Sequence, residues 1–430
     1  MELIIYTLRS ISSAVIAPPL VFILAALTIL FYFKNKKIES MQKIIIGGKV
    51  DSALELTLSQ FVLGIVGGTI GSMILTALGV KFSYESRIQY LFFISIILMF
   101  VKPKYICFSY SAGILGLVNI LFEALSEILP ETFNKEIFEV DIIYLLLFIG
   151  TLHIVEGILV MIDGHRGGIP VFTESENKIV GGYALKRYWL MPIAMIFTTM
   201  ASRINNSIEL SINMPYWWPL INGTGIAMAG IIVMMPFYAM IGYSSVTFTK
   251  SKRKKAFTSG INIFIYGICV IIVSQVAGLG IAGKIFAVIF APAAHEFMLN
   301  IQKRSEEKNR LMFVSNDDGL VILDMGRDSQ MIQYGLEIGD KILSVNGNSI
   351  GSEREIYEIL KKSLYRVNMK IKKKSGEIEE FIHIHDKTRR LGILLVPRKV
   401  LKEEITEVKE NSFQTILEEI KRVKNSPKNS

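Results

Sequence analysis

A chain of 430 residues with 51% apolar content and a mean hydropathy of +0.43 is too hydrophobic for an ordinary soluble globular protein. Its net charge of +9 comes from Lys and Arg residues that flank apolar runs without gathering into one basic groove, which argues against a nucleic-acid surface. Two cysteines are too few for a disulfide framework, and Cys107 and Cys269, each inside an apolar run, read as small buried hydrophobes.

Uncharged runs of roughly 15–25 residues recur through the first two-thirds, and about 20 are needed to cross a bilayer. The candidate spans are residues 13–33, 58–80, 88–101, 105–122, 140–162, 188–201, 219–248, 261–277 and 281–299. The runs at 88–101 and 188–201 are short enough to be re-entrant or merely buried. The first run lacks a small-residue cleavage site and passes directly into Lys34-Asn35-Lys36-Lys37, so a cleaved leader is not expected. Residues 1–304 therefore predict a multi-pass α-helical transmembrane bundle of eight or nine helices.

Positive charge sets its orientation. Lys34, Lys36, Lys37, Lys43 and Lys49, then Lys102 and Lys104, then Arg166, Lys178, Lys186 and Arg187, then Lys250 and Lys252 to Lys255 fall in alternate connections. The other connections are poor in Lys and Arg, and the one around 123–141 is acidic. The positive-inside rule puts the rich set in the cytoplasm, with the amino terminus outside, the carboxy-terminal domain inside and an odd number of spans.

Within the second run, Gly64 with Gly68 and Gly67 with Gly71 form overlapping Gly-x-x-x-Gly pairs, which let helices approach closely within a bundle or between subunits. In the fifth, His153 and Glu156 share a helix face. An ionisable residue in a span needs a partner or water, and a polar clasp between helices is favoured here over an ion or proton site. His295-Glu296 begins like the His-Glu-x-x-His zinc motif, but Leu299 stands where the second His is required; His153-x-x-Glu156 is followed by Gly157 where the inverted motif needs His. No catalytic set, metal site or cofactor is expected from these patterns, and the chain reads as non-enzymatic. Gly164, Gly167, Gly168, Gly181 and Gly182 mark turns in a loop over 163–187, either folded against the bundle or a solvated connector.

From about residue 309 the texture changes to short strands and one helix. Strands are expected at 320–323 and 341–345, with a short helix over 329–334 ended by Gly335. Asn346-Gly347 is a hairpin turn, because both residues tolerate positive φ. Ser352 and Glu355 form a capping box opening a helix to residue 362. A hairpin over 367–385 and a last strand over 391–396 follow. His383 and His385 alternate on one strand and read as surface histidines.

The string Gly335-Leu336-x-x-Gly339-Asp340-x-Ile342-x-x-Val345-Asn346-Gly347, in this order of elements, resembles the bacterial PDZ domain. That resemblance implies a small α/β PDZ domain over 305–398 which adds an extended peptide to a sheet edge beside a helix. Leu391-Gly392-Ile393 is similar to the PDZ loop that receives a terminal carboxylate, here at the end of the domain. The implied groove lies between Leu391, Gly392, Ile393, Leu394 and Leu395 and the helix carrying Ile356 and Leu360. Any of these apolar residues could equally be core, and sheet-edge docking is a firmer expectation than carboxylate capture.

Pro18-Pro19, the Lys34–Lys37 exit, His153-Ile154-Val155-Glu156-Gly157, Pro170-Val171-Phe172, the run from Lys178 to Tyr183, and Tyr188-Trp189 together resemble the MinJ family of Gram-positive division-site proteins. The resemblance implies a membrane scaffold that links DivIVA-like and MinD-like proteins, with MinC, or divisome proteins, and restricts septa near poles, where the protein would gather. It names no partner for the groove, and homo-oligomers stay open. The alternative is an inactive relative, or substrate-presenting partner, of a PDZ-containing intramembrane metalloprotease. Residues 399–430 read as a charged amphipathic tail, with Phe413, Ile416, Leu417, Ile420 and Val423 at helical spacing. The tail could pack on the PDZ domain, meet a partner or rest on lipid.

Overall fold

A computed structural model describes residues 2–18, 20–48, 50–83, 86, 88–129, 140–175, 178–199, 215–223, 231–362, 366–384 and 391–398. The expected tail over 399–430 and His385 lie outside them. The chain divides into two units: Met1–Ile45, Lys49–Val171 and Gly182–Met312 form the first, and Ile46–Gly48, Phe172–Gly181 and the chain from Phe313 form the second.

In the first unit, α1 (Glu2–Ile16) and α2 (Leu20–Ile46) are separated at the paired prolines, as the fixed φ and missing N–H of proline dictate. α3 (Ala53–Leu78) opens on a capping box in which Ser52 and Glu55 cap each other's backbone N–H groups, and Gly79 ends the helix at φ +80°. After β1 (Lys81–Ser83) come the 12-residue α4 (Tyr90–Val101), α5 (Phe108–Ile128) and α6 (Ile142–Asp163), whose N-cap is Asp141. α7 (Lys252–Ser274) and α8 (Ile281–Lys308) complete the helices, α8 running past the expected boundary at 304. Among the described residues five helices are long and apolar enough to cross a membrane, or six when α1 and α2 count as one bent span.

Two expected helices are corrected. The runs at 188–201 and 219–248 contribute to β3 (Lys178–Thr199) and β4 (Ile231–Thr247), an antiparallel pair in register from Tyr183↔Thr247 to Thr199↔Ile231. A hydropathy window measures transfer to lipid and is blind to backbone period. Pro192 in β3 and Pro236 in β4 would each interrupt a helix. β3 lies alongside α3: Arg187 reaches the Leu56 carbonyl near one end, the Ala194 N–H donates to Ser72 Oγ at 2.8 Å, and Ile196 pairs with Lys81 beyond the other. The small residues of α3 make this possible. A Cβ on Gly64 or Gly68 would stand 2.2 or 2.1 Å from the carbonyl oxygens of Leu190 and Pro192, while one on Gly67 or Gly71 would meet Val155 of α6. Both glycine rows therefore pack within the chain.

The loop expected over 163–187 is ordered. Gly167 donates to Asp51 Oδ2 at 2.9 Å and Gln42 donates to the Gly168 carbonyl at 2.8 Å, after which β2 (Ile169–Ser175) begins.

The second unit centres on a sheet ordered β10-β9-β7-β6-β11, with β8 beside β7. Its strands are β6 (Leu320–Met325), β7 (Lys341–Val345), β8 (Asn348–Ser349), β9 (Arg366–Lys372), β10 (Ile378–Ile384) and β11 (Ile393–Leu395), with α9 (Glu353–Lys362) between β8 and β9. The short β5 (Phe313–Val314) pairs with Val180 and Gly181 at the start of β3. Asn346 and Gly347 hold φ +49° and +78° in the tight β7–β8 turn. Asp340, buried, accepts from the Glu337 N–H at 2.8 Å and the Lys374 N–H at 3.1 Å, so the Gly-Asp of the motif is a turn clamp. Gly335 closes a 3-10 turn at φ +70°, and Gly339 at φ +97° donates to the Ile322 carbonyl. His383 is corrected from surface to core: it is buried edge-on against Tyr334, which stacks on Phe381.

Candidate functional site

Two places in the chain bring chemistry-bearing or recognition-bearing groups together. The first is the sheet edge of the second unit. Leu391, Ile393 and Leu395 point into the same core as Ile356 and Leu360 of α9, and all five are buried. Leu394 is buried on the opposite strand face. Gly392, at φ +66°, accepts from the Gly326 N–H at 2.8 Å, and Ser329 Oγ donates to the Leu391 carbonyl. On its other side β11 has no strand partner among the described residues. What this edge offers is main chain, because its side chains are engaged in the core.

The second place lies among the apolar helices of the first unit, and sequence motifs alone missed it. α5 brings Cys107 at its N-cap, Ser109 and Tyr110; α6 brings His153 and Glu156; α7 brings Tyr266; α8 brings His295 and Glu296. His153 and Glu156, expected to clasp a neighbouring helix, meet polar groups from three of them. Cys107 Sγ stands 3.1 Å from His153 Nε2, and Glu156 Oε2 stands 3.9 Å from the same nitrogen. His153 and His295 have ring centroids 5.8 Å apart.

Donor accounting fixes the protons here. The His153 Nδ1 contact is a backbone carbonyl, Ile149 at 2.8 Å, which can only accept, so Nδ1 carries a hydrogen and the neutral ring has its lone pair on Nε2. Tyr266 donates to the Ala291 carbonyl at 2.8 Å, which leaves its oxygen to accept from Ser109 at 2.7 Å. Ser109 has thus spent its proton, and the thiol of Cys107 is the donor facing His153. Tyr110 donates to Glu296 at 2.8 Å and accepts from His295 Nδ1 at 3.1 Å, so the neutral His295 ring likewise has its lone pair on Nε2. Lys104 pairs with Glu296.

The cluster opens on a cavity of about 800 Å³ walled by α5, α6, α8 and β4, with Tyr243, Ser244 and Ser245 opposite the histidines. The edge of β4 that lines the cavity runs from Met240 to Val246. Lys255 and Glu306, paired at 2.9 Å, line the cavity toward the end of α8.

No protein-family model matches the chain, and no solved structure matches it. Among curated proteins it is similar to the cell division topological determinant MinJ of Bacillus subtilis (strain 168), with 22% identity over 258 residues. The match covers 58% of this chain and 60% of the relative, so the two are comparable over rather more than half of each length.

Proposed function

We propose that this chain is a non-enzymatic membrane scaffold in division-site selection. The observation that carries the reading is the distant similarity to a division topological determinant, over more than half of a chain whose described residues include five membrane-length apolar helices. In this reading the first unit anchors the protein in the cell membrane and the second is a PDZ-type docking module facing the cytosol. The strand order, the Gly335-to-Gly347 turn string and the unpaired side of β11 support docking by strand addition. The partner would be an extended segment of a division protein, of the DivIVA-like, MinD-like or divisome class. The buried Ile356, Leu360, Leu391, Ile393 and Leu395 would give the edge a rigid backing, and main-chain hydrogen bonds would supply the affinity.

The test is where the protein goes and what its loss does. A fluorescent fusion of the full chain gathers at septa and poles, and deletion gives filaments or misplaced septa. Uniform membrane fluorescence together with normal cell lengths in the deletion overturns the proposal. The docking module is tested separately by affinity capture with full-length Gly392→Leu, which places a side chain at φ +66° and against Ser329. Capture of division proteins by the parent chain falls at least tenfold in the variant, with the membrane unit's thermal stability unchanged as the folding control.

A further inference from the structure

We propose that Cys107, His153 and His295 form a binding site for a zinc-class divalent metal ion inside the first unit, which Glu156, 3.9 Å from His153 Nε2, could join as a fourth ligand by moving toward the other two. The three residues come from α5, α6 and α8, and each offers one ligand atom, all within 4.8 Å of one another. A tetrahedral zinc site, with Zn–S near 2.3 Å and Zn–N near 2.0–2.1 Å, sets ligand atoms about 3.3–3.6 Å apart. The observed 3.1 Å between Cys107 and His153, and 3.9 Å between His153 and Glu156, bracket that spacing. Side-chain adjustments of well under an ångström in these pairs would bring them to it.

Three further observations point to a metal and away from a simple polar clasp. Both imidazoles are anchored through Nδ1, to the Ile149 carbonyl and to Tyr110, so that the neutral rings keep their lone pairs on Nε2, where that of His153 meets only the Cys107 thiol and the Ser109 hydroxyl. Such outer hydrogen bonds are the usual supports of metal-bound histidine. Ser109 and Tyr266, which could have satisfied the histidines, are committed to each other and to the Ala291 carbonyl. Charge balance is the third. Glu156 lines the cavity with its carboxyl 3.9 Å from His153 Nε2, and an ionised group in a span is costly unless it is paired or solvated. A dication against one thiolate, one carboxylate and two neutral imidazoles sums to zero. Binding replaces the Cys107 S–H bond with a sulfur–metal bond and releases one proton into the adjoining cavity. Mixed thiolate and imidazole donors favour zinc-class ions over magnesium or calcium, which take oxygen. The bound ion would pin α5, α6 and α8 together at the inner end of the cavity.

The test uses the full-length chain in detergent, stripped by a chelator and titrated with Co²⁺. About one Co²⁺ per chain binds, with tetrahedral d–d bands and a near-ultraviolet thiolate charge-transfer band, and Zn²⁺ displaces it. The charge-transfer band disappears in Cys107→Ser and persists in Cys269→Ser; His153→Gln and His295→Gln weaken binding at least tenfold. In the unmodified chain, Zn²⁺ slows maleimide labelling of Cys107 and leaves that of Cys269 unchanged, a readout that needs no variant to fold. A monodisperse parent chain that binds no stoichiometric Co²⁺, a band that survives Cys107→Ser, or labelling of Cys107 indifferent to Zn²⁺ each overturns the proposal.

Discussion

Asp163 and Arg187 show how much a single pair of side chains carries in this unit. Both are buried, the guanidinium donates to Asp163 Oδ2 through Nε at 2.9 Å and through a terminal nitrogen, and it also donates to Ser59 Oγ at 2.7 Å. Trp189 adds a third donor to the same carboxylate oxygen at 3.0 Å. Removing one member of a buried pair strands the other, a loss of about 3–5 kcal/mol, whereas replacing both with apolar groups is often close to neutral. Asp163→Asn and Arg187→Met are therefore each expected to lower the melting temperature of the detergent-purified chain more than Asp163→Leu combined with Arg187→Met. A double variant less stable than either single would contradict this account. In the second unit Asp340→Ala removes the acceptor of the part-buried Glu337 and Lys374 N–H groups, a loss of about 0.5–1.5 kcal/mol per hydrogen bond. Hydrogen exchange should accelerate in β6 and β7 while α6 keeps its protection; equal acceleration in α6 would show the change is not local.

At the scale of elements, α6 and α7 are held by reciprocal glycines. A Cβ on Gly157 would lie 2.7 Å from the Gly260 carbonyl oxygen, and one on Gly260 would lie 2.6 Å from that of Gly157. The same exchange recurs between Gly150 and Gly267. Each helix thus repeats glycine after seven residues, and the two backbones touch at both positions in an antiparallel pair. A spacing of seven was present in the sequence, but only the fold shows which helix answers it. Gly157→Leu is expected to abolish the monodisperse species on size exclusion, while Gly278→Ala, whose Cβ would meet only Ile143 at 3.9 Å, is expected to behave as the parent. Gly68→Val, aimed at the Pro192 carbonyl, should act like Gly157→Leu, by separating α3 from β3.

For the whole molecule, the expected orientation follows from charge and is tested by reporters at both ends. An enzyme reporter active only outside the cell is expected to work at the amino terminus and fail at the carboxy terminus. A carboxy-terminal reporter active outside the cell would sink the cytosolic placement of the docking unit, and with it the proposed meeting with division proteins. The hairpin of β3 and β4 returns on itself, so counting it as crossing or not leaves the parity unchanged.

Hydropathy by itself determined that the first two-thirds of the chain carries apolar helices of membrane-spanning length, because transfer free energy sums residue by residue and needs no partner. Local signals fixed much of the second unit in the same way: the Asn346-Gly347 turn, the Ser352–Glu355 cap and the Gly335 stop act over a few residues, and the strands and helix between them appear where periodicity put them. What the tertiary structure alone decided depends on distant partners. Whether the runs around 188–201 and 219–248 become helix or strand was set by the glycine face of α3, which admits a strand's backbone. His383 went inside because Tyr334 covers it. The meeting of Cys107, His153 and His295 was unreadable from spacing, since each ligand sits on a different helix and only the packing of α5, α6 and α8 brings them within reach.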